Sequence, residues 1–157
     1  MGGHVGLLPY RGSRQTTDSL IILRQRVMAP YAIPEDVRRF LLKHIDSIAH
    51  LEALLLMRES PEMDWSIPAV AARLYVTPEE VTPLLSRLCE DGFIIMTESP
   101  APLYRYRPST TGLAGKVDRT AKEYAKHLVP ITKLIHDKPR MRVQEFADAF
   151  RFRKDPP

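Results

Sequence analysis

"TPEEVTPLLSRLCEDGFI", residues 77–94, is the stretch on which the fold turns. Thr77, followed three residues later by Glu80, reads as a capping box. The threonine hydroxyl accepts from the backbone N–H of the third helical residue, and the glutamate reaches back to the cap. Pro78 fits the first helical position, where no intrahelical bond is lost. Val81, Leu84, Leu85 and Leu88 then recur at helical spacing and face inward. Gly92 ends the helix, and Phe93 and Ile94 begin an apolar, strand-like run. The outward positions are Glu79, Thr82, Pro83, Ser86, Arg87 and Glu90. Pro83 is the irregular one. It removes a backbone bond to residue 79, at about 3 kcal/mol inside a helix. Thr82 offers a way around that cost, as the cap of a helix starting at Pro83, with "TPEEV" left as a separate turn.

Helical patterns precede this stretch. "PEDVRRFLLKHI" (34–45) has proline first, acids next and basic residues last, the order a helix dipole favours. Asp46 and Ser47 can cap "SIAHLEALLLMRES" (47–60), where Ile48, Leu51, Leu54 and Leu55 share a face. "WSI" (65–67) is short and β-prone, and Ser66 caps "IPAVAARLYV". After residue 92, "FIIMTES" (93–99), the turn "PAP" (100–102) and the alternating "LYRYRP" (103–108) read as a β-hairpin.

In order, these are helix, short strand, helix, turn, helix and hairpin, with a long helical pattern behind. "WSIPAVAARLYVTPEEVTPLLSRLCEDGFI" and "PLYRYRPSTTG" resemble the bacterial winged helix-turn-helix domain of MarR-type regulators over roughly residues 47–112. The tail "FADAFRFRKD" is similar to that of other bacterial proteins with this architecture. The expected fold class is mainly α (α+β): a winged helix-turn-helix with a β-hairpin wing and additional N- and C-terminal helices. The resemblance implies transcription regulation. The third helix of such a motif enters the major groove, and the wing meets the DNA backbone or minor groove.

The residues complicate that implication. Base edges are read by Arg, Lys, Asn and Gln, yet the outward face of 78–90 offers only Arg87 among these, with Thr82 and Ser86 as weaker hydrogen-bonding groups. Glu79 and Glu80 stabilise a helix N-terminus but repel phosphates. Arg105 and Arg107 alternate with Tyr104 and Tyr106, a spacing that puts both arginines on one strand face, for phosphate or as a solvated edge. The candidate DNA-contacting residues are therefore Thr82, Ser86, Arg87, Arg105 and Arg107. The expected function is a DNA-associated regulator working mainly through a basic wing. The alternative is a winged-helix protein-interaction module that binds another protein and no DNA, because the third helix is acidic and holds Pro83.

Charge supports a C-terminal basic surface. The net charge is +4. Residues 1–104 hold 10 Lys/Arg against 13 Asp/Glu, and residues 105–157 hold 13 against 6. Such an excess permits nucleic-acid contact without demanding it. From about Thr111 to Asp137 runs a long helical pattern, in which Val117, Ala121, Tyr124, Leu128, Ile131 and Ile135 follow an a/d-like stripe. The stripe serves either as a homodimer seam or as packing on the domain's own core. Pro130 should kink or split this helix near Val129. A last helix, "RVQEFADAFRFRK" (142–154), sets Val143, Phe146, Ala147 and Phe150 on one face.

The expected organisation is a mobile N-terminal extension (1–30), a winged-helix domain with its leading helix (31–112) and a C-terminal helical extension (113–157). Within the extension "SLIILRQRV" (19–27) fits a short strand or docking helix, and Met28 is a plausible true start. No apolar run is long enough to span a membrane. The absence of a signal-type N-terminus and the single cysteine, Cys89, point to a reducing cytoplasm. Cys89 itself reads as a structural thiol. No HExxH, CxxC, GxSxG or phosphate-loop pattern occurs. The histidines read as surface or capping groups, and no catalytic residue, metal site or cofactor is expected.

Overall fold

The computed structural model describes Gly2, residues 32–98 and residues 100–151. Apart from Gly2, the expected N-terminal extension, with its possible strand at 19–27, and the last residues of the tail lie outside them. All described secondary structure belongs to the compact unit Ile33–Pro157. Its elements are α1 (Glu35–His44), α2 (Ile48–Glu59), β1 (Trp65–Ser66), α3 (Ile67–Leu74), α4 (Pro78–Glu90), β2 (Ile94–Thr97), β3 (Leu103–Tyr106), α5 (Thr111–Lys126) and α6 (Leu128–Arg151). This is a winged helix-turn-helix, mainly helical, with helices added on both sides.

Local chemistry sets most boundaries. Glu35 and Asp36 open α1, and Lys43 and His44 close it, charges that match the helix dipole. Ser47, Ser66, Thr77 and Thr110 cap α2, α3, α4 and α5 through side-chain oxygens. At the end of α4, Gly92 takes a φ of 80°. A Cβ there would meet Ser109 Oγ at 2.7 Å, so both conformation and space demand glycine. The sheet is antiparallel in the order β1-β3-β2. Trp65 pairs with Tyr104, and Ile94 and Thr97 pair with Tyr106 and Leu103.

The core gathers Phe40, Leu41 and Ile45 with Leu51, Leu54 and Met57, then Val70, Val81, Leu85, Leu88 and Phe93. Phe40 and Phe93 meet edge to face at 5.6 Å, the preferred aromatic geometry. The inward residues of 77–94 thus close the core as expected, with Leu84 half-buried.

The long C-terminal helix differs from expectation. It breaks at His127, between α5 and α6. Pro130 then falls in the first turn of α6, where its missing N–H has no intrahelical acceptor to lose. Helix α6 continues past Pro139 to Arg151, so the expected separate last helix is its second half. The break also divides the a/d stripe. Val117, Ile131 and Ile135 are buried in the unit's own core, Tyr124 is half-buried, and Leu128 is 53% exposed.

Candidate nucleic-acid interface

Helices α3 and α4, the turn between them and the β2-β3 hairpin present the surface that a winged helix would turn toward a duplex. Its framework begins at the α4 cap. Thr77 Oγ1 accepts from the Glu80 backbone N–H, and Glu80 accepts from both the Thr77 N–H, at 2.8 Å, and its hydroxyl. These hydrogen bonds hold the Glu80 carboxyl below its ordinary value. The helix begins at Pro78 and runs through Pro83 without a second start. Thr82 is therefore not a cap. Its hydroxyl donates to the Pro78 carbonyl at 2.9 Å, inside a helix that the Thr77 box and the buried Val81, Leu85 and Leu88 hold together.

Each residue expected to touch DNA now has a position. Thr82 and Ser86 are exposed on α4 beside the exposed Pro83. Arg87 is partly exposed, with its Nε 3.3 Å from Asp91. Arg105 is engaged with a partner: Nε and a terminal nitrogen donate to both Asp64 oxygens at 2.9 Å, a bidentate pair of the strong kind. Arg107 lies just past the end of β3, is exposed, and forms no ion pair among the described residues. Its backbone N–H donates to Phe93 O at 3.1 Å, tying it to the start of β2. The two wing arginines are thus unequal. Arg107 is available to solvent anions, and Arg105 must first leave Asp64.

Behind α4 lie two polar clusters, one joining its end to α1 and the other joining the α1–α2 junction to α6. His44 Nδ1 is 2.9 Å from Asp91 Oδ2, the carboxylate that also receives Arg87. Burial pushes the Asp91 carboxyl up, but the bonds from His44 and Arg87 bring it below its ordinary value. His50 is buried in α2, where its Nδ1 accepts from the Asp46 N–H at 3.1 Å. Burial lowers its pKa from 6.5 to about 4, against the opposing pull of Asp46. Its Nε2 has no partner among the described residues. For His50 this corrects the expectation of a surface group. Lys138 of α6 is buried too, donating to Ile45 O at 2.6 Å and Asp46 Oδ1 at 2.8 Å, with Arg142 on the same carboxylate. The amine thereby satisfies a carbonyl at the end of α1 that α1 cannot pair itself.

Sequence reasoning missed three features. The pairing of Asp64 with Arg105 spans 41 positions and depends on the β1-β3 register. Lys138 lies one residue past the expected end of its helix. Tyr75 is the left-handed cap of α3, and its sequence carries no signal of this, because such a position favours Gly or Asn. Cys89 is half-buried, and burial pushes its thiol up, which suits a structural role.

An open groove of about 520 Å³ is lined by Leu55, Leu56, Leu74 and Tyr124 together with charged groups. The Tyr124 hydroxyl donates to Glu52 at 3.3 Å, and Arg58 pairs with Asp118 at 2.7 Å. Among the described residues no cluster of metal-ligating side chains occurs, and no helix is long and apolar enough to cross a membrane.

No protein-family profile and no curated protein matches the chain. Among solved structures it is similar to a MarR family transcriptional regulator from Streptomyces coelicolor, with 17% identity, 90% of this chain and 94% of that one covered, and a TM-score of 0.47. It is also similar to the transcriptional regulator MosR from M. tuberculosis, at 15% identity, 90% and 96% coverage and a TM-score of 0.46. A third is a MarR family regulator from Rhodococcus, at 19% identity, 92% and 100% coverage and a TM-score of 0.45.

Proposed function

We propose that the protein is a DNA-associated transcriptional regulator whose affinity comes mainly from backbone contacts. The observation that carries this reading is the continuous helix-turn-helix and hairpin surface, with Arg107 exposed and unpaired among the described residues at the base of the wing. Arg105 joins it when it exchanges Asp64 for a phosphate. Arg87, Thr82 and Ser86 contribute from α4. Such contacts fix position and supply salt-dependent affinity, while base discrimination stays weak because α4 offers few groups that read base edges. A homodimer would double the phosphate contacts. Val143, Phe146 and Phe150, 70%, 68% and 59% exposed on α6, supply apolar area for it.

A second reading is a protein-interaction module that binds no DNA. Glu79, Glu80 and Glu90, all exposed on α4, favour it. Binding to random-sequence and genomic DNA fragments at low and moderate salt separates the two. Under the regulator reading, the chain binds at low salt and the Arg105→Ala/Arg107→Ala protein loses most of that binding. No binding at low salt would turn the search to protein partners.

A further inference from the structure

Tyr75 ends α3 at φ 56°, ψ 38°, the one non-glycine residue with positive φ among those described. Its own N–H and that of Val76 both bond to Ala71 O. This arrangement reverses the chain into the Thr77 cap. A helix end of this kind favours Gly or Asn, because a Cβ is crowded in the left-handed region. Tyrosine gains nothing from burial in return, since it is 95% exposed. The fold therefore bears a strained backbone for a side chain that packs on nothing. A residue of this kind points to function more than to stability. Arg73, two residues earlier, is also exposed and forms no ion pair among the described residues. Thr77, two residues later, starts the helix that a duplex would meet first.

We propose that Tyr75 is a DNA-contacting residue, its phenolic hydroxyl donating to a backbone phosphate with Arg73 as the adjacent cation. The proposal rests on the DNA-binding reading above. It gives the helix-turn-helix a backbone contact at the entrance to α4, where Glu79 and Glu80 offer phosphates nothing. Aromatic and hydroxyl contacts to the sugar-phosphate chain fix register without reading sequence.

The test compares the full chain with its Tyr75→Asn and Tyr75→Phe variants on a random-sequence DNA duplex, alongside thermal unfolding. Asparagine tolerates the left-handed region, so the melting temperature of Tyr75→Asn should hold or rise. Both variants should bind DNA about tenfold more weakly, the loss of one hydrogen bond to a charged acceptor. The salt dependence should be unchanged, because a phenol releases no counterion, whereas Arg73→Ala should lower the salt slope by about one contact. Wild-type binding with both variants equal to it overturns this proposal and leaves the DNA reading intact. Absence of wild-type binding overturns both.

Discussion

Asp64 is the residue that sets how much charge the wing can offer. Its bidentate pair with Arg105 is partly exposed, so its contribution to folding is small. On the proposed DNA-binding reading its effect on binding is larger, because it would compete with phosphate for one guanidinium. Asp64→Asn should bind DNA more tightly than the wild type, at nearly unchanged melting temperature and with a similar salt slope, because the same phosphate contact forms in both. Fluorescence anisotropy across a salt series measures this, and an unchanged affinity would mean that Arg105 stays off the DNA. His50 makes a different prediction. Its folded pKa of about 4 lies below the ordinary 6.5, so between these values the unfolded chain binds the proton more readily. Stability should therefore fall as pH drops from about 6.5 to 4, by roughly 3 kcal/mol from this group. Asp46, Asp91, Arg87 and Lys138 surround it electrostatically. Denaturant midpoints across that window, compared with those of His50→Gln, test it. A wild-type profile as flat as that of the variant would show that the histidine titrates normally.

Helix α4 holds two opposed local preferences. The Thr77–Glu80 box stabilises its start, and loss of the cap in Thr77→Ala should cost about 1 kcal/mol. Pro83 works against the same helix by removing the N–H that would pair with the Glu79 carbonyl. Pro83→Ala should raise stability, by up to about 3 kcal/mol. Chemical denaturation of the two variants checks both signs, and a destabilised Pro83→Ala would show that the proline ring makes a contact the fold needs. The start of this helix was legible in its sequence, because capping chemistry is local and the apolar stripe is regular. The detour through Thr82 was not needed. Tertiary burial of Val81, Leu85 and Leu88 holds the helix together across a proline that propensity alone would place at its start. Helix α6 shows the converse. Pro130 looked like an interior breaker, but the chain had already broken at His127 and left it in a first turn.

Across the whole molecule, the winged-helix order was legible because each element carries its own cap, turn or alternation. The polar network was not, since Lys138 lies 92 positions from Asp46 and only the folded chain brings it there. The same holds for the wing, where spacing places Arg105 and Arg107 alike and the β1-β3 register hands one of them to Asp64. The apolar face of Val143, Phe146 and Phe150 raises the question of assembly. If it serves a homodimer, Phe146→Glu/Phe150→Glu should be monomeric in sedimentation and bind DNA more weakly. An unchanged sedimentation coefficient would remove this face from the dimer account. The most direct measurement is the slope of DNA affinity against salt for the wild type and for Arg107→Ala. Backbone-led binding by the wing requires a clear salt dependence that falls by about one phosphate contact in the variant. Equal slopes in the two proteins, or no binding by the wild type at low salt, would contradict it.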